Sequence, residues 1–261
     1  MQADFFAQKR KNSLFFFAVL LVVTLISVLL TEYDVAKGLT SGFKALGWAV
    51  TNFYPNENSL SKLPNVLNKL KETILMSVAA TTSAAVFASL FALWGSQTTK
   101  VNQFLSTLSR GVASLFRNIP LVAWAMVLLF SFGQSSLTGY FALFFATFGF
   151  LTRAFIETID EVSNSSVEAL RATGASYFQI VFQAVLPSSI PQMLSWVLFM
   201  VETNIRDATL LGILTGSGIG FSFNLYYKSM NYHAASLVVI VIVLTVFFIE
   251  YVSNHIRRVI L

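Results

Sequence analysis

Residues 167–189 read VEALRATGASYFQIVFQAVLPSS, and they belong to the most polar internal segment (157–189) of an otherwise strongly apolar chain. Val167, Leu170, Ala175, Phe178, Val181, Phe182 and Val185 recur at helical steps on either side of Gly174. Glycine reaches backbone angles that other residues resist, so the pattern predicts two short helices joined by a sharp turn at Gly174. Pro187 has no N–H, and it is expected to end or kink the second helix before the next apolar run. A polar helix-turn-helix between two long apolar runs points to a hairpin on one face of a membrane domain.

Working outward from this hairpin, six apolar runs can be drawn, at residues 14–30, 73–94, 119–132, 137–155, 190–214 and 235–251. A crossing takes about 20 apolar residues, so the third run is short and its helix is expected to begin before Ile119. Composition agrees. The 261 residues are 56% hydrophobic and 11% charged, whereas a soluble domain carries about 25% charged residues. The mean hydropathy is +0.70. Lys9, Arg10 and Lys11 precede the first run and no small-residue cleavage site follows it, so it reads as a retained first span with a cytoplasmic N-terminus.

Six spans return both termini to the cytoplasmic side. That side then holds Lys9, Arg10, Lys11, Lys100, Arg110, Arg117, Arg153, Arg171, Arg257 and Arg258. Lys37, Lys44, Lys62, Lys69, Lys71 and Lys228 fall outside, mostly in one long loop where the positive-inside rule is weakest. Within that loop, Ala36, Leu39, Phe43, Leu46, Val50 and Phe53 mark one apolar helical face, ended by Tyr54-Pro55-Asn56. The helix either lies at the membrane interface or packs on the outside of the bundle. Residues 133–136 are short enough for a tight hairpin between the third and fourth spans.

Several classes of chemistry are excluded. There is no cysteine, and His233 and His255 fall on opposite faces of the membrane, so no metal centre or nucleophile–base pair is assembled. No GxxxxGK[ST] loop occurs, so the chain carries no nucleotide site of its own. Gly216, Gly218 and Gly220 follow an apolar run rather than a strand, which excludes a dinucleotide fingerprint; they suit a bend or hinge at an external gate. The basic residues are dispersed along loop ends, a pattern that does not suit nucleic acid.

The fifth run contains the stretch MVETNIRDATLLG (200–212). Glu202 and Arg206 are four apart and share a helix face, and Asp207 lies about 100° round from Arg206. A lone charge at the membrane centre costs at least ~2.5–3.5 kcal/mol, so such groups pair or face water. Measured from Pro191, Arg206 lies ~22 Å along the helix, toward the outer third. Two readings stand side by side: Arg206 meets an oxyanion on a translocation path, or Glu202 and Arg206 brace the bundle as an ion pair. Arg117 and Asn118, followed by Pro120, suit a helix start with Arg117 as an interface anchor.

Glu168-Ala169, Gly174 and Leu186-Pro187 resemble the EAA loop of ABC importer permeases in spacing and in place, between the fourth and fifth of six spans. Arg117-Asn118-Ile119-Pro120, EALRATGAS, ETNIRDATLLGILTGSGIGF and IEYVSNHIRR are similar to the phosphonate-type branch, from about Lys69 to Arg258. Departures are mild: Leu170, Ala184, Asp207, Ser217 and Glu250 stand where that family usually has other residues. The resemblance implies an all-α type I importer permease in the bacterial inner membrane, with residues 69–261 as the transmembrane domain and 1–68 as an added N-terminal part. It implies that Glu168, Ala169, Gly174, Leu186 and Pro187 dock an ATPase, and that Glu202, Asn204, Arg206 and Asp207 lie on the path or pair within it. It also implies partners: two ATP-binding cassette subunits that hold ATP and Mg, an extracytoplasmic substrate-binding protein, and a second copy of the chain. This chain would need no cofactor. The implied cargo is phosphonate or a related phosphorus oxyanion. Alternatives are another small solute, a gradient-driven transporter using Glu202 or Glu250 as proton carrier, and a membrane scaffold without transport.

Overall fold

A computed structural model describes residues 2–162 and 164–260, and every regular element among them is helical. The chain divides into two compact units, residues 1–54 and 55–261. The boundary drawn at 68/69 therefore moves upstream: Val66 is fully buried against Ile219, Leu237 and Val238, so residues 55–68 belong to the larger unit.

The first unit holds α1 (Gln2–Leu30) and α2 (Val35–Asn52). Asp34 caps α2 by accepting a 2.9 Å hydrogen bond from the Lys37 N–H, and Phe53 closes it. Phe43, Leu46 and Val50 are exposed. Leu39 is outside the residues whose side chains are described.

The larger unit opens with a single turn, α3 (Glu57–Leu60), and the 33-residue α4 (Leu63–Gly95). Ala80, Ala84, Ala88 and Ala92 are spaced four apart on one face of α4 and have no exposed surface. α4 and α7 (Ser136–Val162) form the most extensive helix pair of the fold, with Phe148, Leu151 and Phe155 of α7 in one core with Ala84, Ala88 and Ala92. Water supplies no driving force inside a bilayer, so small side chains that let backbones come close take its place.

The third span differs from expectation. A helix does precede Ile119, but α5 (Gln103–Asn118) and α6 (Leu121–Phe132) meet at 90° instead of forming one rod. Proline pushes the residue before it out of the helical region, and Ile119 accordingly has φ −86° and ψ 119°. Among the described residues, five helices are long and apolar enough to cross a membrane, and the bent pair makes a sixth if it counts as one span.

The fifth span also departs from the prediction. Pro187 does not end the preceding helix. The chain stays helical through α9 (Tyr177–Ile180), a π-turn (Val181–Val185) and α10 (Leu186–Thr215). The Leu186 N–H donates to Val181 O, five residues back. Widening the helix by one residue relieves the clash that a proline ring makes with the carbonyl four residues earlier. After α10 come α11 (Gly218–Lys228) and α12 (Tyr232–Ile260), which pack on Val66 of α4 through Ile219, Leu237 and Val238.

Candidate functional site

The first half of the polar hairpin folds as its spacing predicts, whereas the second helix runs on into α10. α8 (Asn164–Ala172) stops at Gly174, whose φ of +80° only glycine adopts freely. Ala175 N–H donates to Leu170 O at 3.1 Å and Gly174 N–H to Arg171 O at 3.0 Å, the paired bonds of a Schellman cap. Val167 is buried and anchors α8, which leaves Glu168 and Ala169 exposed on its outer side. Glu168 lies beyond the first turn, so its carboxylate does not cap the helix. Pro187 is exposed and Leu186 half-buried, at the root of α10.

A hydrogen-bonded network that the sequence reading missed ties this hairpin to the bundle. Arg171 Nη2 donates to Thr98 O at 2.7 Å, bridging α8 to the loop after α4. In that loop, Ser96 Oγ, Thr98 N and Thr98 Oγ1 all donate to one oxygen of Asp160, near the end of α7. The other oxygen pairs with Arg110 Nη2 at 3.1 Å, and Arg110 Nε donates to Gly95 O at 2.7 Å. Ser96, Thr98 and Arg110 thus meet around one carboxylate, and Arg171 joins them through Thr98. The sequence signal was one acid among three, Glu157, Asp160 and Glu161, and nothing in the local pattern singles it out.

In α10, Glu202 and Arg206 do pair, with Arg206 Nη1 2.9 Å from Glu202 Oε1. A third member joins them: Arg257 Nη2 of α12 lies 3.3 Å from Glu202 Oε2. Glu202 is buried, whereas the Arg206 side chain is 43% exposed and can reach beyond the pair. Glu202 is midway between Ile190 and Leu214, and Arg206 stands one turn further along α10. Arg257, expected only as a rim cation, is part of the cluster. Asp207 is half-buried beside Arg206.

Asn204 stands apart from these charges. Its Nδ2 donates to Thr81 Oγ1 at 2.7 Å and to Thr147 Oγ1 at 2.8 Å, and its backbone carbonyl accepts from Ser77 Oγ at 3.2 Å. The side-chain nitrogen is committed between α4, α7 and α10, so Asn204 clamps three helices beside the Glu202–Arg206 pair.

Gly216 closes α10 in the left-handed conformation (φ +67°), and Gly218 also has positive φ. The chain then turns back on itself so tightly that a Cβ on Gly220 would come within 1.8 Å of Thr209 O. These glycines form a bend packed against α10. Among the described residues, no group of three or more His, Asp or Glu side chains could hold a metal ion.

Comparison with known proteins follows this geometry closely. Residues 84–260 match the family model described as binding-protein-dependent transport system inner membrane component. The phosphite transport system permease protein PtxC of Stutzerimonas stutzeri is 28% identical over 192 residues, covering 74% of this chain and 70% of that protein. The phosphate-import permease protein PhnE of Mycolicibacterium smegmatis is 28% identical over 190 residues, 73% of this chain and 36% of its own length. Among solved structures, the MetNI methionine ABC transporter in an inward-facing conformation superposes with a TM-score of 0.68 at 19% identity, covering 79% of this chain and 99% of that one. The fold is that of a type I ABC importer permease.

Proposed function

This chain belongs to the family of binding-protein-dependent transport system inner membrane components, and from that premise we propose that it is the permease subunit of an ATP-driven importer of a phosphorus oxyanion such as phosphite, phosphate or phosphonate. The observation that carries the reading is the exposed Glu168–Ala169 face of α8, held by the Gly174 cap at the root of the membrane-embedded α10. Small and acidic side chains presented on a short, rigid helix suit docking into a groove of a separate ATPase subunit. An extracytoplasmic binding protein delivers the solute, and a second copy of the chain completes the path. Both termini lie on the ATPase side. The phosphorus cargo rests on relatives named for phosphite and phosphate transport. The half-exposed guanidinium of Arg206 suits such a cargo, because a planar fork of donors matches oxyanion geometry.

Gly174→Trp tests the docking reading in cells that co-express the candidate ATPase. The left-handed backbone at Gly174 resists any side chain. Co-purification of the ATPase is expected to fall and uptake to be lost with it. If both survive unchanged, the docking role is wrong. Competition of uptake by phosphite, phosphate, methylphosphonate and sulfate tests the cargo: inhibition by sulfate alone refutes the phosphorus assignment.

A further inference from the structure

A second cationic site lies away from the α10 cluster, and neither the docking reading nor the path uses it. Arg110, Ser114, Arg117 and Asn118 of α5 and Arg153 of α7 line a recess of about 160 Å³. The close approach has a specific cause. A Cβ on Gly149 would stand 2.4 Å from the backbone nitrogen of Arg117, so only glycine lets the end of α5 abut α7 here. Arg153 follows one turn later on α7 and is thereby brought beside Arg117. The 90° bend after Asn118 turns the chain away and leaves the recess open.

The donors in this recess are not used up. Arg110 commits Nε and Nη2 to Gly95 O and Asp160, and Arg153 commits Nε to Glu157 Oε1 at 2.6 Å. Their remaining guanidinium nitrogens, and the whole of Arg117, have no hydrogen-bond or ion-pair partner among the described residues. Asn118 Nδ2 donates to Ser114 Oγ at 3.2 Å, which orients both side chains along the wall. Two carboxylates against three guanidiniums leave one positive charge in a concave site, where a tetrahedral oxyanion would be held by forked donors. Arg153 is about 10 Å up α7 from Asp160, so the recess lies membrane-ward of the end that carries α8.

We propose that Arg117, Arg153 and Arg110 form a phosphoryl-binding site at this end of the permease, filled by a free phosphorus oxyanion or by the phosphate of an anionic lipid. The proposal concerns the chain alone and does not depend on ATPase docking. The test uses the purified full chain in nanodiscs. In phosphatidylcholine discs, inorganic phosphate is titrated and followed by ³¹P line broadening or calorimetry. In discs containing phosphatidylglycerol, co-purified lipid is counted by native mass spectrometry. Arg117→Gln and Arg153→Gln are each expected to weaken whichever ligand binds by about tenfold, the effect of losing one charge-assisted contact. Arg117→Lys retains the charge and should lose less.

Ser114→Glu guards against misfolding of the arginine variants. Ser114 is exposed, and the new carboxylate should occupy the recess and abolish binding without disturbing the core. Phosphate binding lost in Ser114→Glu assigns the site to a soluble oxyanion. Lipid retention lost instead assigns it to a headgroup. If wild type binds neither ligand, or if Ser114→Glu and Arg117→Gln bind both as wild type does, an adventitious charge cluster is all that remains and the proposal falls.

Discussion

Glu202 is a buried carboxylate between two guanidiniums, and the three side chains are unequal in what their loss would do. Removing Glu202 leaves Arg206 and Arg257 facing each other, with Arg257 Nε already buried and unpartnered among the described residues. Breaking a buried pair by deleting one member typically costs about 3–5 kcal/mol. Arg206 is far more exposed, and losing it leaves Glu202 still paired with Arg257. Glu202→Gln is therefore expected to lower the melting temperature of the detergent-purified chain well below that of Arg206→Gln, while Arg206→Gln mainly reduces uptake. Equal melting shifts would mean that Arg257 does not support Glu202. The spacing of Glu202 and Arg206 was legible because helix periodicity makes residues four apart neighbours. Arg257 was not, since its partner lies 55 positions away and tertiary contacts carry no local period. The two hydroxyl partners of Asn204 escaped for the same reason, since both are on other helices.

At the scale of elements, α8 was legible in full, because apolar spacing and a turn glycine are both local signals. Its attachment was not. The Arg171–Thr98 bond and the Asp160 hub join a hairpin, a loop and two helices, so α8 is tied sideways to the loop after α4, to α5 and to α7 as well as along the chain to α10. Arg171→Met removes that lateral tie but leaves Glu168, Ala169 and Gly174 in place. ATPase co-purification should persist, and uptake per ATP hydrolysed should fall several-fold, since a hydrogen bond from a charged donor contributes about 1.5–3 kcal/mol. Parallel loss of docking and uptake would show instead that Arg171 only holds α8 folded. The elements that escaped prediction, the right-angle break at Ile119 and the π-turn before Pro187, both adjoin a proline. Sequence signals where a proline interrupts regular hydrogen bonding, but whether the chain then bends, widens or stops depends on what packs around it.

For the larger unit as a whole, the seam between α4 and α7 decides how closely the bundle closes. Four alanines without exposed surface make that seam one methyl thick. Ala84→Leu forces extra volume into it and should destabilise the chain by about 1–3 kcal/mol, read as a lower melting temperature in detergent and a lower yield from membranes. An unchanged melting temperature would place slack in the seam that the burial of Ala84 denies. The Arg257–Glu202 contact has a consequence of another kind, for the order in which the chain is made. α10 enters the membrane before α12 has been synthesised, and until then Glu202 has only Arg206 beside it. α12 brings the second guanidinium, so the compensation of a buried charge in the fifth span waits for a helix made after it. A nascent chain stalled before α12 carries a half-neutralised carboxylate within its membrane-embedded core.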